Sequence, residues 1–417
     1  MGKLTHQEFI SLLLAMGAML FFARLAAEGA RLLKLPVVTG EILVGVLLGP
    51  SFLGHLYPTL FAKTFPLFGE VGVALDGITK ISAVLLLFVS GMELQMQLLV
   101  KQGRAAVTTS LLSLVIPFLL GFSLAYYLPG SFEYIPNDGL LFALFMGTAM
   151  SISALPVIAK TLMDLNMLKS KVGMIIIAAA MFDDLIGWLV FSLIISLLGK
   201  GREVSLVLLD VSVIIGYGIL MLTIGKKLID KSLPWIQKKL SWPGGVLSLA
   251  LSFCFFSAAF TEYLGIHAVL GAFIAGIAVG DSVKLNTKAR EIIHQFVTNI
   301  FAPLFFVSIG IKINFIAHFD ASVTLIIFLL ASLGKITGAT LGARAGLFPW
   351  RESVAIGFGL NARGAMEIIL GTLALQVGLI NETIFVALVI MAIVTSIASG
   401  PVLRWLGTGR ESVVTRY

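Results

Sequence analysis

The sequence predicts an all-α polytopic membrane protein with about thirteen transmembrane helices. Three observations predict it. Apolar residues make up 58% of the chain and charged residues 12%, with a mean hydropathy of +1.03, whereas soluble domains carry about 25% charged residues. Apolar runs of about 20 residues, the length a helix needs to cross hydrocarbon, recur from end to end. Lys and Arg gather in alternate connections between those runs.

The expected spans are 7–28, 36–54, 75–97, 105–127, 138–160, 172–198, 204–224, 244–261, 264–281, 291–314, 322–343, 352–376 and 383–404. With the N-terminus outside, the inner connections collect Arg31, Lys34, Lys101, Arg104, Lys160, Lys169, Lys171, Lys226, Lys227, Lys231, Lys238, Lys239, Lys284, Lys288, Arg290, Arg344, Arg351, Arg404, Arg410 and Arg416. The outer side keeps Lys3, Lys63, Lys200 and Arg202, so the positive-inside rule gives N-out and C-in, and an odd number of spans agrees. These loops account for the net charge of +7, and nucleic acid is not an expected partner. The basic start at Lys3 is signal-like, but Arg24 interrupts the apolar stretch and no clean cleavage site follows, so the first helix is expected to be retained. The basic segment 225–243, with Pro234 and Pro243, reads as an inner loop and the best linker candidate, and the tail after Arg404 as too short for a regulatory domain. Cys254 is the only cysteine and lies in an apolar run. No Gly-rich phosphate loop and no His/Glu or Cys/His cluster points to a nucleotide or zinc, so no cofactor is expected.

The most informative run is span six, where Asp183 and Asp184 stand side by side with about a dozen apolar residues on each flank. One charge at the bilayer centre costs ~2.5–3.5 kcal/mol on insertion scales, and adjacent carboxylates also repel. Such a pair is poorly explained as packing and reads as an ion or proton site. Lys335 in span eleven and Arg363 and Glu367 in span twelve lie at similar depth. Arg363 and Glu367 are four apart and share a helix face, so a structural pair between them competes with any functional role. Lys335 has no opposite charge on its own helix, and an aspartate of span six is its natural partner. Glu41 and Glu93 are expected to be solvated near the inner ends of spans two and three, and Glu262 and His267 to be structural near an outer loop.

Two stretches make poor straight helices. One runs from Thr148 through Ser151, Ser153 and Pro156; the other runs from Gly357 to Gly364 and contains Asn361. Proline removes an intrahelical hydrogen bond and glycine lowers helix stability. A simple proline kink is one reading. The positions favour another: each is the fourth helix of a five-helix run, spans two to six and nine to thirteen, and the runs start in opposite directions. That is the signature of inverted repeats, whose broken helices hold the ion site of a transporter.

In this order and spacing, several segments resemble one family across nearly the whole chain. They are Val37-Val-Thr-Gly-Glu-Ile through Gly49-Pro50, Leu86 to Leu94 with Gly91-Met-Glu93, Gly147-Thr-Ala-Met-Ser151, Phe182-Asp-Asp-Leu185, His267 to Gly276, Ala302-Pro-Leu-Phe-Phe306, Leu333-Gly-Lys335 and Ala362-Arg-Gly364. The family is that of bacterial monovalent cation:proton antiporters, including NapA-type sodium/proton and Kef-type potassium exchangers. The resemblance implies a homodimer with a dimerisation domain (1–98 and 229–316), a linker helix (201–228) and a core ion-transport domain (99–200 and 317–417). It implies that Asp184 carries the cation and the proton, that Asp183 assists or stabilises, and that Lys335 is the charge partner of Asp184. Thr148, Ser151, Ser153 and Asn361 become crossing-helix candidates. The implied activity is secondary active exchange of Na+ or Li+ for H+ across the plasma membrane, by core-domain movement, with no enzymatic step. The chain departs from the NapA-like pattern at Ala365, where that pattern has Glu, and carries Glu367 instead. Kef-like chains often place Gln where Asp183 stands; the double aspartate favours sodium or lithium, with K+ exchange the alternative. A cation channel and an intramembrane aspartyl protease are remote alternatives. The protease needs carboxylates flanking a scissile bond, and two neighbours on one helix do not flank one.

Overall fold

The computed structural model describes residues 4–33, 35–94, 103–132, 138–165, 167–168, 170–197, 204–264 and 267–406. Lys3, Lys34, Lys101, Lys169, Lys200, Arg202, Arg410 and Arg416 of the charge pattern lie outside them. The described residues are helical, without a strand. The helices are α1 (His6–Leu32), α2 (Val37–Leu48), α3 (Gly69–Glu93), α4 (Gly103–Tyr127), α5 (Gly139–Ser151), α6 (Leu155–Asp164), α7 (Lys171–Leu197), α8 (Val204–Leu220) and α9 (Lys226–Lys239). There follow α10 (Gly244–Tyr263), α11 (Ala268–Gly280), α12 (Thr287–Phe296), α13 (Ala302–Lys312), α14 (Ala321–Ala345), α15 (Trp350–Leu360), α16 (Ala365–Gln376) and α17 (Glu382–Leu406). Two short turns of helix, Leu53–Leu56 and Pro58–Thr64, connect α2 to α3. Among the described residues, 11 helical stretches are long and apolar enough to cross a membrane, and the bent pair α15–α16 brings the number to 12. The ninth expected span is a shorter apolar helix, α11, 13 residues long.

Segment 225–243 is not a loop. A π-turn at Met221–Gly225 joins α8 to α9, so the helix runs on to Lys239 with Pro234 inside it. The physical reason is amphipathicity: Leu228, Ile229, Leu233 and Ile236 are interleaved with five lysines, and such a helix can keep its ammonium groups in water while its stems cover apolar surface. Lys226 is tied to Asp281 at 2.5 Å, which anchors the start of α9 to the end of α11.

The chain divides into two compact units, Met1–Gln95 with Gly201–Ala317 and Met96–Lys200 with His318–Tyr417. In the first unit α13 packs on α2, and α11 packs on α3. These are span ten on span two and span nine on span three, so exchanging the two five-helix runs maps one contact onto the other. In the second unit the same exchange maps the α4–α7 contact onto α14–α17 and leaves α4–α14 in place. A five-helix internal repeat produces this pairing.

The α4–α14 contact is close because of glycine. Gly334, Gly338 and Gly342 recur every fourth residue on one face of α14 and lie against the α4 backbone at Pro117, Leu112 and Thr108. A Cβ on Gly334 would sit 2.8 Å from Pro117 Cα, inside van der Waals contact. Small residues let helices in lipid approach until dispersion and weak polar contacts hold them. Gly338→Leu is therefore expected to destabilise the second unit by about 1–3 kcal/mol or to prevent its assembly. Thermal melting of detergent-solubilised protein by size-exclusion chromatography measures this, and an unshifted midpoint would contradict the packing.

Candidate functional site

The site lies wholly in the second unit, where two broken helices meet. The first break ends α5 at Ser151; Ile152 and Ala154 are extended, and α6 begins at Leu155 with Pro156 in its first turn. There, in the first turn, the missing proline N–H leaves no helical bond unmade. The second break separates α15 from α16 across residues 361–364, with a bend of 45°. The breaks are joined to each other. Ala154 N–H donates to Ala362 O at 2.9 Å, and Ser153 Oγ donates to Leu360 O at 2.8 Å.

A helix ends with carbonyls that have no intrahelical donor, and in lipid each must find one. Two buried cations supply them to α5. Arg363 donates to Ala149 O (2.9 Å), Ile152 O (3.1 Å) and Met150 O, and Lys335 donates to Ser151 O. The negative end of the α5 dipole thus faces two positive groups. Arg363 also pairs with Glu367 at 3.4 Å, and its own carbonyl accepts from Ser396 Oγ of α17. Arg363 and Lys335 are 0% exposed and Glu367 is 1% exposed, so the cluster is held without bulk water.

On α7, Asp183 and Asp184 are both 0% exposed. Lys335 Nζ lies 2.5 Å from Asp183 Oδ2. The family resemblance assigned this lysine to Asp184; the direct ion pair falls on Asp183. Periodicity explains the difference, since neighbours on a helix project about 100° apart and the Lys335 side chain of α14 reaches the Asp183 face. Asp183 is further held by hydroxyls: Ser110 Oγ donates to Oδ1 at 2.8 Å, Ser113 Oγ lies 3.2 and 3.1 Å from the two oxygens, and Ser153 Oγ lies 3.1 Å from Oδ2.

Of the crossing-helix candidates, only Ser153 reaches a carboxylate directly. The Thr148 and Ser151 hydroxyls donate back into α5, to Leu144 O and Thr148 O, each at 2.8 Å. Asn361 caps α15, and its Oδ1 has no hydrogen-bond partner among the described residues. Ser110 and Ser113 went unread in the sequence, although a signal was present. They stand three apart in the polar run Thr108-Thr-Ser110 to Ser113 of an otherwise apolar span, and therefore share a face.

The other acidic residues singled out in the sequence, Glu41, Glu93 and Glu262, lie in the first unit. Glu41 is 3% exposed, against the expectation of a solvated interfacial carboxylate, because Gly40 brings α2 tight against Ala26 of α1. Glu93 meets His294 at 3.3 Å. Glu262 accepts from Ala268 N–H at 2.7 Å, and His267 caps α11, both structural uses.

Relatives share this architecture. A solved structure, the sodium proton antiporter MjNhaP1 of Methanocaldococcus jannaschii, superposes with a TM-score of 0.68 at 18% identity, covering 96% of this chain and 98% of its own, and so matches in fold. The Na(+)/H(+) antiporter NhaS4 of Synechocystis is 30% identical over 88% of this chain and 90% of its own length. The Na(+)/H(+)-K(+) antiporter GerN of Bacillus cereus is 28% identical over 93% of this chain and 94% of its own. The chain spans 48% of the length of Cation/H(+) antiporter 17 of Arabidopsis thaliana, to which it is 32% identical. A family model described as the transmembrane sodium/hydrogen exchanger matches residues 17–409, and the chain therefore belongs to that family, whose members are transporters and not enzymes.

Proposed function

We propose that this chain exchanges a monovalent cation, sodium or lithium, for protons by alternating access, with Asp184 as the carboxylate that cation and proton occupy in turn. The observation that carries this reading is the buried Lys335–Asp183 ion pair at the crossing of the two broken helices, one residue from Asp184. Two carboxylates, hydroxyls and helix-end carbonyls are the hard oxygen donors a dehydrated alkali cation needs. A cation arriving at Asp184 adds a positive charge beside Lys335. Like charges repel in a low-dielectric site, so the lysine is driven off Asp183 and a proton leaves as the cation enters. Both substrates then depend on one cluster, and their coupling requires no second site. In this reading the unit that holds the site is the moving core, the other unit is the scaffold of a homodimer, and the chain lies N-out, C-in.

Proteoliposomes test the function directly. With an imposed pH gradient, adding sodium or lithium to purified protein is expected to dissipate the gradient, seen as dequenching of a pH-sensitive dye. The GerN name includes potassium, so potassium belongs in the same series. No response to any of the three cations overturns antiport, and currents far above exchanger turnover would indicate a channel. Lys335→Ala carries a further prediction. If the lysine releases a proton of its own, wild-type exchange moves two protons per cation and speeds up when membrane voltage favours it. The variant is then expected to lose that voltage dependence, read with potassium/valinomycin clamping.

A further inference from the structure

Asp183 faces a difficulty that the ion pair alone leaves open. The proposed cycle removes Lys335 from it, and a buried carboxylate stripped of its counter-charge is costly. The groups around Asp183 suggest how that moment is bridged. Ser113 Oγ lies within donating distance of both Asp183 oxygens, at 3.2 and 3.1 Å, and of Ser110 O at 2.9 Å. Ser153 Oγ lies 3.1 Å from Asp183 Oδ2 and 2.8 Å from Leu360 O. Each hydroxyl carries one proton and so donates to one acceptor at a time. Both are therefore two-position rotors, one position on a backbone carbonyl and the other on Asp183. Ser110 Oγ donates to Oδ1 at 2.8 Å and holds the carboxylate in place. The three serines are at most 2% exposed, so water does not replace them.

We propose that Ser110 and Ser113 of α4, with Ser153 at the first break, are positioning residues that take over Asp183 when Lys335 withdraws, and so set how readily a cation displaces the lysine. With Lys335 seated, the Ser113 and Ser153 protons are free to satisfy Ser110 O and Leu360 O. With Lys335 displaced, both turn onto Asp183. Leu360 O belongs to the last turn of α15, so the Ser153 rotation also alters a bond between the two broken helices as the site changes occupancy. The inference rests on the antiport reading above and adds to it which residues lower the cost of the exchange step.

The test is cation-dependent exchange in proteoliposomes for wild type, Ser110→Ala, Ser113→Ala, the double variant and the hydroxyl-keeping Ser110→Thr and Ser113→Thr, each reconstituted at equal folded content. Losing the donors makes Lys335 harder to displace. The double alanine variant is expected to raise the apparent KM for sodium about tenfold, equivalent to about 1.4 kcal/mol. Its maximal rate is expected to stay within about twofold of wild type, and the threonine variants to restore wild-type KM. A merely structural role would lower the maximal rate or the yield and leave KM alone. Wild-type KM in the double alanine variant, with an active wild-type control, overturns this inference and leaves the antiport reading standing. A wild type inert towards sodium, lithium and potassium overturns both.

Discussion

Asp184→Asn is expected to abolish cation/proton exchange while leaving the protein folded. Asparagine is nearly the same size and shape as aspartate, so the packing of α7 has little reason to change. In the proposed cycle it removes the negative charge and the proton-binding site together. Asp183 is instead, in that cycle, the partner of Lys335, held by the hydroxyls of Ser110, Ser113 and Ser153. At Asp184 the amide cannot balance the charge of a dehydrated cation, and it cannot accept a proton in the physiological range. The expected loss in sodium-driven dequenching is about 100-fold or more, which corresponds to about 2.7 kcal/mol on the exchange step. A melting midpoint within a few degrees of wild type is the control that separates lost chemistry from lost fold. Exchange at the wild-type rate by folded Asp184→Asn protein would refute the assignment.

Arg363→Ala is expected to have the largest effect on stability. Arg363 donates to the carbonyls of Ala149, Met150 and Ile152 at the end of α5 and is the ion-pair partner of Glu367. Alanine leaves these acceptors short of donors in a region with no exposed surface, and it leaves Glu367 without its buried counter-charge. Breaking a buried pair by removing one partner costs about 3–5 kcal/mol, and each unsatisfied buried acceptor adds about 1–3 kcal/mol. The sum is comparable with the whole stability of many domains, so little folded protein should be recovered from the membrane. Arg363→Lys keeps the charge but has only three donors on one nitrogen, which cannot span carbonyls set apart as these are. It should therefore fold and melt well below wild type. Size-exclusion profiles of detergent extracts across a temperature series measure both variants. Wild-type melting of Arg363→Ala would show that the α5 carbonyls are satisfied some other way.

Much of this protein was legible in its residues because a bilayer is an unforgiving solvent. Hydrocarbon offers no hydrogen bonds, so each crossing must be a long apolar helix, and the expected spans recur as helices within a few residues. Charge at mid-depth is costly enough that Asp183, Asp184, Lys335, Arg363 and Glu367 stood out at once. Pro156 and the glycines from Gly357 to Gly364 marked both breaks, because backbone chemistry there is local. The 225–243 segment misled for a related reason: its lysines and prolines suit a loop by composition, while their helical spacing with leucine and isoleucine suits α9.

By itself the sequence determined the class of protein, the number of deep charges, the broken helices and the repeat that relates them, since each follows from composition, period or order along one chain. Only the tertiary structure decided which charge meets which. Lys335 meets Asp183, Arg363 caps the end of α5, and two serines of α4 join the carboxylate. Those pairings depend on the rotation of one helix against another, which close packing at Gly334, Gly338 and Gly342 sets and which spacing along a single helix does not encode.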